Sequence, residues 1–217
     1  MRMDFPDQRS RGLTRPEVLV AVLLAIFLLT ILFGMVMPPR RESRITCIAN
    51  LREISTALRV WENDNAPGMP PLKNSEPTNG LNSGQIAWIN ATGISNIVHS
   101  SKILICPADR ETPTTTDAAG NKIRISYFLN SDANEGYPQE ILSGDDNLAA
   151  KGIPVKPGIF ELSSNTPIAW TLARHRYGGN ISLADGSVEQ TTSSSLENAA
   201  VYSLNGTPLF TNRFAIP

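Results

Sequence analysis

An uncharged, strongly apolar run from Val18 to Met37 dictates most of what this chain can become. About 20 helical residues, at ~1.5 Å of rise each, span the ~30 Å hydrocarbon core of a bilayer. The run sets aside an N-terminal helix whose solvent differs from that of the remaining chain. A secretory signal peptide has a shorter apolar stretch, ~7–15 residues, closed by a small-x-small cleavage site. Here the run leads into Met37-Pro38-Pro39-Arg40-Arg41, which is no such site. An uncleaved signal anchor is the simpler alternative, carrying an extracytoplasmic binding domain or enzyme. Glu17 counts against it. A carboxylate at the edge of an apolar helix is costly toward the bilayer centre unless it has a partner.

The residues ahead of the run are Arg11-Gly12-Leu13-Thr14-Arg15-Pro16-Glu17. A glycine just after a basic patch, a glutamate five positions later and a membrane-length helix resemble the N-terminus of type IV prepilins and type II secretion pseudopilins. The resemblance implies a cytoplasmic leader over 1–12, cleavage by a prepilin peptidase between Gly12 and Leu13, N-methylation of Leu13, and a filament-core helix over 13–37. It assigns Glu17 to assembly register. The new α-amine of Leu13 lies i to i+4 from Glu17 on one helical face, and in a filament the amine of a neighbouring subunit serves instead. Pro16 departs from the family's usual aliphatic residue. In a helix starting at Leu13, residues 13 to 16 carry the four amides without an intrahelical partner, so the proline loses no hydrogen bond. In the uncut chain its ring clashes with the Gly12 carbonyl, and Gly12 itself disfavours helix. The Gly12–Leu13 bond is then expected to be extended, as a protease requires.

The family further implies identical or related pilin subunits and an inner-membrane assembly platform as partners, in a secretion pseudopilus or type IV pilus-like filament. It places the chain in the inner membrane as a single-pass protein, its C-terminal domain in the periplasm or on an extracellular filament. Charge alone leaves the orientation open. Arg2, Arg9 and Arg11 precede the helix, while Arg40, Arg41, Arg44 and Arg52 follow it.

Pro38-Pro39 either ends the helix or kinks it sharply. Beyond it, Ile45, Ile48, Leu51, Ile54, Leu58 and Trp61 recur at three and four residues, predicting an amphipathic stalk helix over 38–64. Arg44, Arg52, Glu53 and Arg59 read as its solvated face. Most of the 16 prolines and 15 glycines fall after residue 65, so 65–217 is expected to be a loop-rich α+β domain, with a long loop from Asn63 to Gly84. Ser101–Cys106 and Lys122–Leu129 read as strands. Asn180–Thr191 reads as a hairpin around Asp185-Gly186, and Ser194 to Glu197 as a capping box opening a short helix. The predicted fold is α+β, a long N-terminal helix packed on a small antiparallel sheet, which the resemblance makes pilin-like. A net charge of −1 and pI near 6.1 give no bulk electrostatic case for nucleic acid.

Four distal segments resemble a prepilin-like branch abundant in planctomycetes and verrucomicrobia. They are Cys47 to Ile54, Ile105 to Asp109, Ser143 to Leu148, and His175 through Asp185-Gly186-Ser187-Val188. The family places Cys47 and Cys106 outside the cytoplasm, where a disulfide would pin the stalk helix to the sheet; two buried free thiols are the alternative. His175, Asp185 and Glu189 match no zinc spacing, and Asp185 is more simply a turn residue, with His175 on a surface or turn. No enzyme motif and no cofactor emerge. Asp145, Asp146 and Asp185 offer oxygens of the kind calcium takes, without an EF-hand spacing, and some secretion pseudopilins are calcium-stabilised.

Overall fold

The computed structural model describes residues 14–36, 40–65, 101–110, 115–116, 122–205 and 211–217. These fall into two compact units, Met1–Arg40 and Arg41–Pro217. Gly12, Leu13, Pro38 and Pro39 lie outside the described residues, as does most of the loop expected over 63–84.

Among its described residues the first unit contains helix α1, Arg15–Val36. It is long and apolar enough to cross a membrane, about 33 Å at 22 residues. Its first helical residue among those described is Arg15. Thr14 is the N-cap, and Glu17 three residues on accepts the Thr14 backbone N–H at 2.7 Å. Thr-x-x-Glu is a capping-box sequence, which explains the start. Pro16 therefore falls in the first turn, where its missing N–H has no intrahelical acceptor.

The second unit is α+β. Its helix α2, Arg40–Asn65, buries Cys47, Leu51, Ile54, Ala57 and Leu58. Ile45, expected on that stripe, is exposed, and Cys47 takes its place. Among the described residues eleven strands follow, β1 (Thr115–Thr116), β2 (Lys122–Ile123), β3 (Tyr127–Asn130), β4 (Ile141–Asp145), β5 (Leu148–Ala150), β6 (Ile153–Pro154), β7 (Gly158–Ser163), β8 (Ile168–Trp170), β9 (Gly178–Leu183), β10 (Val188–Thr192) and β11 (Thr211–Ile216), with helix α3, Ser193–Asn205, between the last two.

Six of the strands form an antiparallel sheet in the order β10-β9-β4-β3-β11-β7. Because side chains alternate across a strand, neighbouring residues serve opposite faces. Tyr127 and Leu129 pack with α2, whereas Phe128 joins Phe214, Ile181 and Trp170 under Leu196, Ala200 and Leu204 of α3. A three-stranded sheet, β6-β5-β8, supplies Leu148, Ile168 and Trp170 to that second core. The central sheet is thus covered on both faces.

Several local expectations change. Ser101–Leu104 is a 3-10 turn, closed by the Ile105 N–H on the Lys102 carbonyl, and not part of a strand. Lys122–Leu129 divides into β2 and β3 around Arg124, Ile125 and Ser126. The Asp185-Gly186 hairpin forms, with Asp185 Oδ1 accepting the Ser187 N–H at 2.8 Å and Gly186 at φ 86°. The helix after it is capped by Thr192, not Ser194, since Thr192 Oγ1 accepts the Ser195 N–H, and it runs on to Asn205.

Candidate functional site

The face of the central sheet under α2 is unusually polar. Ser143, Asp145, Asn180 and Ser182 are all buried there on β4 and β9. From α2, Asn50 donates to the Ile105 carbonyl at 3.0 Å and to the Tyr127 hydroxyl at 3.2 Å. One turn earlier on the same helix, Cys47 forms a disulfide with Cys106, the Cα atoms 5.3 Å apart. Cys106 is presented by the segment after the 3-10 turn, which is held by the Ser126 N–H on the Leu104 carbonyl and the Asp109 N–H on the Cys106 carbonyl.

Beside the disulfide lies a buried charge network. Arg174, 5% exposed, pairs with Asp109 at 3.2 Å and with Asp146, and donates to the Ser126 carbonyl at 2.6 Å. Asp109 also takes Arg124 and the Ser126 hydroxyl. Removing a partner from such a network strands a buried charge, so its members hold one another in place.

Next to Arg174 the backbone turns left-handed for three consecutive residues, His175, Arg176 and Tyr177, at φ 48°, 55° and 58°. Non-glycine residues there cost of order 1–3 kcal/mol each and persist only when the surroundings over-determine them. The surroundings do so. Asn147 Nδ2 faces the carbonyls of Thr171, Arg174 and Gly178, and Arg44 donates to the His175 carbonyl. The turn sends Arg174 and His175 into the core and leaves Arg176 and Tyr177 exposed.

His175 Nε2 consequently stands 3.3 Å from Cys106 Sγ and 3.5 Å from Asp145 Oδ2. Burial, with Arg44 and Arg174 nearby, pushes the His175 pKa down to about 4, so the imidazole is neutral at pH 7. Burial pushes Asp145 up to about 6, against the opposing hydrogen bonds from Asn180. Oδ2 of Asp145 takes both the Asn180 N–H and Nδ2, at 2.8 and 2.9 Å, while Oδ1 is buried with no hydrogen-bond partner.

The sequence-derived candidates are thus regrouped. His175 is a turn residue but buried, not on the surface. It does not meet Asp185 or Glu189. Those two belong to the hairpin tip and to exposed β10, whereas His175 precedes the opposite end of β9. The calcium set is also dispersed. Asp145 is fully buried, Asp146 is paired with Arg174, and the Asp185 N–H bonds the Pro138 carbonyl near the start of β4, away from Asp145 at its end. Arg44 and Arg59, expected to face solvent, instead tie α2 to the His175 carbonyl and to Glu135 and the Asp185 carbonyl. Sequence spacing missed the convergence of Asp145 and His175 on the cysteines. The signal that could have found it was the set of four separated segments, each of which supplies one of these residues. No family model, curated protein or solved structure matches this chain.

Proposed function

We propose that this protein is a prepilin-like structural subunit, with a pilin-like fold, that is cut by a prepilin peptidase between Gly12 and Leu13, methylated on Leu13 and built into a secretion pseudopilus or pilus-like filament. The observation that carries the proposal is α1, apolar on every side from Val18 to Leu32 and exposed throughout, with Glu17 in its first turn. A helix apolar all round needs an apolar environment, either lipid or other such helices. Assembly is then the transfer of that helix from the inner membrane into a bundle of like helices, and the second unit forms the outer surface.

Glu17 has two successive roles in this scheme. In the chain described here it caps Thr14. After cleavage the α-amine of Leu13, or that of a neighbouring subunit, is the stronger partner. A carboxylate left unpaired inside an apolar bundle is costly, so the pairing sets the axial register. Replacing Glu17 by alanine or valine leaves membrane insertion intact and impairs assembly.

Intact mass spectrometry of the protein isolated from its host is the test. A mass beginning at Leu13 with one added methyl group is expected. A retained Met1 overturns the proposal in favour of an uncleaved anchored domain.

A further inference from the structure

Cys47 Sγ, Cys106 Sγ, His175 Nε2 and a carboxylate oxygen of Asp145 lie within 4.8 Å of one another, and all four residues are buried. They come from α2, the segment after the 3-10 turn, β4 and the left-handed turn. The disulfide accounts for two of them. It does not account for a histidine driven inward by three left-handed residues, or for a fully buried carboxylate with an oxygen that no donor reaches.

We propose that the dithiol form of this chain binds one zinc-type divalent cation through these four side chains, in place of the disulfide. Two thiolates, one imidazole and one carboxylate are the donor set of a closed tetrahedral zinc site. Zn–S bonds of ~2.3 Å and Zn–N or Zn–O bonds of ~2.0–2.1 Å give tetrahedral edges of roughly 3.4–3.6 Å between unlike ligands. The contacts of His175 Nε2 with Cys106 Sγ and Asp145 Oδ2, 3.3 and 3.5 Å, are within a few tenths of an ångström of that length. The sulfurs must part, to roughly 3.8 Å, and the remaining ligand pairs, which lie within 4.8 Å, must draw in to those edges. Calcium is disfavoured, since it takes 6–8 oxygen ligands and this cluster offers one carboxylate.

Binding forms two Zn–S bonds, and the two thiol protons leave to solvent. Three anionic ligands and a dication leave a formal charge of −1, and the guanidinium groups of Arg44 and Arg174 lie close enough to act on His175 and Asp145. The same sulfur electrons cannot serve the metal and the disulfide at once, so the two forms exclude each other. Reducing surroundings select the metal form and oxidising ones the disulfide. The proposal is independent of whether the chain is processed as a pilin.

The test is titration of the full-length chain in detergent with Co2+ and Zn2+, once after reduction by a phosphine and once oxidised. The reduced chain is expected to take one Co2+, with the intense thiolate-to-cobalt and tetrahedral visible bands, and to release it to one equivalent of Zn2+. The oxidised chain takes none. His175→Ala and Asp145→Asn each lower the affinity roughly 100-fold or more, while the disulfide still closes on oxidation. Reduced wild-type chain that shows no stoichiometric cobalt bands overturns the proposal, and so does undiminished binding by folded His175→Ala.

Discussion

The carboxyl of Glu140 sits just ahead of β4, 1% exposed, with Oε2 accepting the Asn134 N–H at 2.9 Å and Oε1 buried without a partner. Burial pushes its pKa up to about 7, with Asp132 and Glu62 adding in the same direction and the Asn134 hydrogen bond opposing. An ordinary glutamate ionises near 4.5. Below that value both folded and unfolded chains hold the proton, and the favourable contribution is fully present. As pH rises toward 7 the unfolded chain loses its proton first, so this contribution drains away and levels off above 7. Glu140→Gln, which keeps an acceptor for Asn134, should therefore match the parent at pH 4 and exceed it at pH 8. The expected gain is about 1–2 kcal/mol after allowance for solvent screening. Denaturant midpoints at the two pH values check it, and an equal difference at both would exclude the titration.

At the scale of elements, β9 shows how closely the second core is fitted. A β carbon on Gly179 would lie 2.7 Å from the Trp170 ring, and that ring is fixed by its Nε1–H on Thr191 Oγ1 at 3.1 Å. Gly179→Ala should cost about 1–3 kcal/mol, read as a lowered midpoint and an altered tryptophan emission. Elements with a one-sided environment were legible in the sequence. Leu51, Ile54 and Leu58 repeat at helical spacing because one face of α2 is buried, and Asp185-Gly186 announces its turn through local chemistry. Strand β4 was not legible, and β3 only as the end of the longer strand expected over Lys122–Leu129. Both are buried along their whole length, so neither alternates within itself, and polar Ser143 and Asp145 sit inside on hydrogen bonds to the Phe128 carbonyl and from Asn180. The sequence placed His175 on a surface or turn, but nothing local marked three consecutive left-handed residues. Arginine and tyrosine are poor candidates for positive φ, and the distant Asn147, Arg44 and Asp146 contacts hold the turn.

For the second unit as a whole, the disulfide is the one covalent cross-link from α2 among the described residues. Cross-linking residues 59 apart removes unfolded-state entropy worth about 4 kcal/mol in the chain-entropy model. The paired Cys47→Ser and Cys106→Ser variant should lose about 3–4 kcal/mol against oxidised parent, measured with a chelator present so that metal makes no contribution. A loss below about 1 kcal/mol would mean that the packing of Leu51, Ile54 and Leu58 alone holds α2 down.

Strand β11 lies between β3 and β7, pairing Phe214 with both Asn130 and Phe160. Its register with β7 runs the full length from Thr211 to Ile216, and β7 has no other neighbour in that sheet. On a ribosome, the residues of β11 therefore emerge after the other five strands of the sheet they complete. Until they do, β3 and β7 each present an open edge of the kind that pairs with other chains. The order of synthesis itself thus delays closure of this sheet, leaving a window in which those edges can meet the wrong partner.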